Sequence, residues 1–182
     1  MSGSVYGLKL SYSLGGNADE TKLLPEFAAQ FERAGAELSR VTRHVAPYLF
    51  PAIEKEVAKQ FDAEGGGPVA GKWQPLSKAY AKWKRAHWPG RPILVRTGRL
   101  RRTLTTSGEG AVRDVGDSTL TYGTAGVPYA TYHQLGGGNL PARPPVDFRD
   151  GFTGDLQRAL RLGVRDAFKA AKAADVAAGS DI

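Results

Sequence analysis

Cysteine is absent from the chain, which removes disulfides, thiolate nucleophiles and cysteine-ligated zinc from consideration. Long apolar runs are absent as well. None approaches the roughly 18–20 residues that cross a bilayer, so no membrane partner is expected. The opening stretch "MSGSVYGLKL" lacks a basic leader followed by an apolar core, and no secretory signal is expected. Histidine is scarce: His44, His87 and His133 stand far apart, in neither HxH nor HExxH spacing. No GxxxxGK[ST], GxGxxG or GxSxG pattern occurs. Carboxylates pair only as helix neighbours (Glu54 and Glu56) or turn residues (Asp114 and Asp117). Without converging titratable groups, neither catalysis, nor a cofactor, nor a metal is expected.

One further absence carries the most information. Between Glu64 and Glu109 there is no acidic residue, while residues 65–108 hold ten lysines and arginines. The net charge of +7 is therefore local, because the remainder of the chain sums to −3. Such a segment meets nucleic acid, an acidic protein face or a second copy of the chain.

What is present reads as one domain. Hydrophobic residues make up 41% of the 182 and charged residues 24%, enough for a packed core. Tyr6, Leu8, Leu10, Tyr12 and Leu14 alternate as in a strand, so residues 1–16 are expected to form a strand-like extension. Leu24, Phe27, Phe31, Ala34, Leu38, Val41 and Val45 recur at helical spacing. Pro47 and Pro51 are expected to kink or interrupt that helix, with Ile53, Val57 and Phe61 on a second one. The glycines of "EGGG" read as a flexible joint. A short helix is expected at about 77–87, ended by "WPGRP". Thr97 is the expected N-cap of a turn that drifts into β-rich residues. "AVRDV" and "TLTYGT" make a hairpin around Gly116, Asp117 and Ser118, and Pro128 opens a helical turn. Leu156, Leu160, Val164 and Phe168 mark a last helix. The main domain is placed at 17–172 and a frayed tail at 173–182. The fold class is α+β, a small antiparallel sheet packed with helices, with an extended basic arm at 65–95.

All three tryptophans lie in the basic segment. Lysines and arginines interleaved with aromatics suit a single-strand nucleic-acid binder. The same residues also dominate protein interfaces, and composition leaves both readings open. The glycines at one end of the arm and the prolines at the other predict a mobile element, whose tryptophans wait for a partner.

Four motifs bear on that choice. Trp73, Pro75, Leu76 and Ser77 give a Trp…Pro-Leu-Ser element. Leu94, Thr97, Gly98 and Leu100 give Leu…Thr-Gly-x-Leu. Tyr129, Ala130, His133, Gln134 and Gly136 give Tyr-Ala…His-Gln-x-Gly, and Pro141, Ala142, Arg143 and Pro144 give Pro-Ala-Arg-Pro. In this order they resemble the phage virion morphogenesis family, the tail-completion proteins of Mu-like and related tailed phages. The family continues Arg-Pro with phenylalanine, whereas Pro145 and Val146 precede Phe148 here.

The resemblance implies a structural virion protein of the neck, present in the host cytoplasm during assembly. It implies a homo-oligomeric ring, six-fold like the tails of such phages. Its partners would be the head connector or adaptor and the tail terminator or tail tube, with contact between the basic arm and packaged DNA left open. The expected assembly interface comprises Trp73, Pro75, Leu76, Trp83, Trp88, Arg96, Arg99, Arg101, Arg102, Tyr129, His133, Gln134 and Arg143. His133 is expected to be a packing residue with both ring nitrogens satisfied by the backbone.

Overall fold

The computed structural model describes residues 29, 32, 35, 36, 40–68, 70–149 and 151–179. The strand expected at 5–14 lies outside them, as does most of the helix expected before Val41. Among the described residues five helices and two small antiparallel sheets give an α+β fold. None of these helices is long and apolar enough to cross a membrane.

Helix α1 (Val41–Ala63) is continuous through both prolines, which corrects the expected interruption. An interior proline forfeits a hydrogen bond and costs about 3 kcal/mol. Pro47 and Pro51, four residues apart, share a solvent-exposed face where water can serve the freed carbonyls. The opposite face buries Phe50, Ile53, Val57 and Phe61, and that burial outweighs the loss. Glu64 ends the helix in the left-handed region at φ 51°.

The glycine run that follows is not a free joint. Gly65–Gly67 forms β1, paired antiparallel with β2 (Gly71–Lys72). A Cβ on Gly65 would sit 2.6 Å from the Trp73 nitrogen, and one on Gly67 2.2 Å from the Asp147 carboxyl carbon. Glycine is required here because backbone and side chains press in on both sides.

Helix α2 (Lys78–His87) is capped by Ser77, whose hydroxyl accepts from the Tyr80 amide. Helix α3 (Arg99–Thr105) starts at Gly98 (φ 80°), not at Thr97, although the Thr97 hydroxyl accepts from the Arg99 amide at 3.4 Å. The segment expected to drift into β structure is therefore helical to Thr105. Strands β3 (Ala111–Val115) and β4 (Leu120–Thr124) form the expected hairpin. Helix α4 (Ala130–Leu135) precedes a loop, and α5 (Phe152–Gly179) closes the described chain. The bounds of α5 run into the tail placed at 173–182.

Helices α1 and α5 run antiparallel: Arg149, just before α5, pairs with Glu56 at 2.6 Å, whereas Gly163 faces Val45. Of the expected Leu156, Leu160, Val164, Phe168 stripe, only Leu156 packs against the core, and most of the face that α5 turns inward is different. It is Ala159, Gly163, Ala167 and Ala171, with Phe152 at the start. Small residues at four-residue steps let the two backbones approach closely, so that a Cβ on Gly163 would lie 2.6 Å from the Val45 Cα. Leu160, Val164 and Phe168 are left 44%, 38% and 56% exposed. The core joins Ile53, Val57 and Phe61 of α1 to Trp73, Val95, Leu100, Leu104, Val127 and Phe152.

Candidate functional site

The start of the basic segment belongs to that core. Trp73 is buried, meets Phe61 edge to face at 5.6 Å, and donates from Nε1 to the Pro144 carbonyl at 3.2 Å. This corrects the expectation that its ring waits for a partner: the side chain already has one inside its own fold. The far end of the segment is fastened too, since the Ile93 amide donates to the Glu64 carboxylate at 2.6 Å and the Lys84 ammonium donates to the Pro92 carbonyl. Only the span between stands outward. There Tyr80 and Trp83 stack at 5.4 Å, Trp83 contacts Trp88 at 5.1 Å, and the Arg96 guanidinium covers the Trp88 ring at 5.5 Å. Tyr80 and Trp83 stay about two-fifths exposed.

Arg143 fastens the motifs together. Its guanidinium donates to the carbonyls of Gln74 (2.7 Å) and Pro75 (3.0 Å), and its amide donates to the His133 carbonyl at 2.8 Å. The planar fork suits two adjacent carbonyls in a way a lysine ammonium would not. Gln134 does similar work next door: its side-chain amide donates to the Val146 carbonyl and accepts from the Val146 amide. Both residues were expected at an assembly interface, and both spend their polar groups inside the chain.

All four motifs meet at one cavity of about 510 Å³. Leu76 and Ser77 come from the first, Leu94, Thr97, Gly98 and Leu100 from the second, Tyr129 and His133 from the third, and Pro141 and Arg143 from the fourth. Leu94 holds φ 61°, an unusual conformation for a leucine, which fixes where its side chain enters the wall. Leu76, Leu94, Leu100 and Leu140 line it, and Lys84, Arg96, Arg99 and Arg143 supply the charge. No carboxylate is among the lining residues.

His133 lines the cavity and is half-buried there. Burial, reinforced by the nearby positive charge of Arg143, holds its pKa below the ordinary histidine value. Its Nδ1 is buried and has no hydrogen-bond partner among the described residues, contrary to the expected backbone satisfaction. Tyr129 packs edge-on against the ring at 5.9 Å.

The other expected residues scatter. Arg101 pairs with Asp62 at 2.7 Å away from the cavity, Arg102 is exposed, and Pro75 contributes its carbonyl to Arg143. Sequence reasoning passed over Tyr80, Lys84, Leu94 and Leu140 as site residues, although all four line the cavity. Lys84 is the least expected, being a buried lysine whose pKa burial pushes down while Glu64 opposes the shift. The place of Tyr80 was within reach, since it shares a helical face with Leu76 and Trp83.

No curated protein sequence and no solved structure matches the chain. Residues 19–175 match the family model described as the phage virion morphogenesis family. That span contains all four motifs and the whole cavity, so the chain belongs to the phage virion morphogenesis family, a family of structural and assembly proteins.

Proposed function

We propose that the protein completes the tail at the neck of a tailed virion and joins it to the head connector, acting as a ring of identical copies. The observation that carries this reading is the cavity. Four separate motifs converge on one recess lined by four leucines and four cationic side chains. A preformed apolar recess with a cationic rim is suited to holding a protein segment, the task of a joining protein.

Membership of the family supports assembly as the role. The uneven charge supports association of copies, because a strongly basic segment and an acidic remainder attract one another around a ring. Head connector or adaptor on one side, and tail terminator or tube on the other, are the partners in this reading, in a six-fold arrangement. A phage carrying a nonsense mutation in the gene should accumulate filled heads and finished tails that do not join, and added protein should restore joined particles. Normal, joined particles formed without the protein would overturn the proposal.

A further inference from the structure

Three of the exposed large apolar side chains, Tyr80, Tyr129 and Leu140, line the cavity, and Trp83 stacks on the first of them. Apolar surface left open beside a preformed recess marks a binding site. The charge there is of one sign. Lys84 and Arg143 are buried and already engaged by carbonyls, of Pro92 for the lysine and of Gln74 and Pro75 for the arginine. Arg96 and Arg99 are exposed, and neither forms an ion pair among the described residues. We propose that the cavity takes an acidic segment of a different protein, an inference that rests on the joining role above. Apolar side chains of that segment enter against the leucines, and its carboxylates meet Arg96 and Arg99 at the rim.

Charge and lining together select that occupant. A nucleic-acid strand would also bring anions to Arg96 and Arg99. Its phosphates gain nothing from Leu76, Leu94, Leu100 and Leu140, and burying them there would strip their water without replacing it. Aliphatic side chains gain from the same surface by leaving water, and about 510 Å³ accommodates only a few of them. With no carboxylate in the lining, the positive charge is uncompensated, so an acidic segment is favoured and a basic one repelled. The partner is a different protein because many of this chain's own acids are spent: Glu54, Glu56, Asp62, Asp117 and Asp166 form ion pairs within it. The recess is also built before the partner arrives. Arg143 ties its walls together, so binding orders little additional chain.

A display library of random short peptides, selected against the full chain, tests this chemistry without presuming a particular partner. Recovered sequences should carry aspartate or glutamate next to leucine, isoleucine or phenylalanine. A synthetic copy of one such peptide, titrated calorimetrically, should bind roughly tenfold more weakly to Arg96→Gln with Arg99→Gln. Leu140→Ser should weaken it too and leave the melting temperature unchanged, because Leu140 is 48% exposed. Arg96→Glu with Arg99→Glu should turn the selection toward lysine and arginine. Recovered peptides without acidic residues, or acidic peptides that bind every variant alike, would overturn the proposal. So would a single-stranded thymidine oligonucleotide whose binding needs Arg96 and Arg99 while no peptide consensus emerges. The joining role fails separately. If phage lacking the protein still yield joined particles, that role falls and the peptide site stands. If joining needs the protein but no acidic peptide is selected, the site chemistry is wrong and the role stands.

Discussion

Trp73 and Trp83 stand ten residues apart in the same acid-free stretch, and the fold treats them oppositely. Trp73 lies 4% exposed against Phe61, with its indole nitrogen hydrogen-bonded to Pro144. Trp83 rests on Tyr80, His87 and Trp88 and remains 39% exposed on a helix tied down by Lys84. One composition thus serves two ends: Trp73 near the start of the segment and Val95, Leu100 and Leu104 near its end complete the core, and the stretch between projects rings and cations outward. A run of basic and aromatic residues is not one physical object merely because it is contiguous.

The largest effect that would sharpen this contrast is at Trp73. Trp73→Ala should lower the unfolding free energy by about 3–5 kcal/mol, the usual cost of deleting a buried tryptophan, read from chemical denaturation. A loss below about 1 kcal/mol would mean that the ring is not core structure.

Gly163→Ala comes next. Alanine favours a helix over glycine by about 1 kcal/mol, yet its methyl would sit 2.6 Å from the Val45 Cα. Overpacking costs about 1–3 kcal/mol, so thermal melting should show net destabilisation. A rise in melting temperature would contradict the close α1–α5 approach.

His133 provides a smaller and pH-dependent effect. Its folded pKa is depressed by burial and by Arg143, so the neutral ring favours the folded state. Its contribution is complete above the ordinary value of about 6.5 and is lost as pH falls below it toward the depressed folded value, because there the unfolded chain binds a proton that the folded chain resists. His133→Gln should flatten this part of the stability–pH curve. An unchanged slope would place the ring in water.

Trp83→Ala should have the smallest effect on the free chain, within about 1 kcal/mol, because a half-exposed side chain has less to lose. Its effect should fall instead on joined-particle yield.

Much of this architecture could be read from sequence where local chemistry agreed with global packing. A short helical stretch ended by "WPGRP" gave α2, and Gly116–Ser118 between β-rich runs gave the hairpin. Three readings failed for identifiable reasons. Pro47 and Pro51 suggested a break because the periodic rule does not register that both face solvent. The large residues of α5 drew attention from Ala159, Gly163, Ala167 and Ala171, whose smallness is what permits the close approach to α1. Gly65–Gly67 looked like a joint because steric demand from Asp147 and Trp73 arises only in three dimensions. The cavity is a similar case: its four motifs were visible in order, but their convergence depends on Arg143 reaching the carbonyls of Gln74 and Pro75 across nearly seventy residues of chain.

The most direct test of the proposed role is a reconstruction of the assembled virion at the neck. A closed ring of six copies should appear between the head connector and the tail tube. Density for one or two copies, or for a ring elsewhere in the particle, would contradict it.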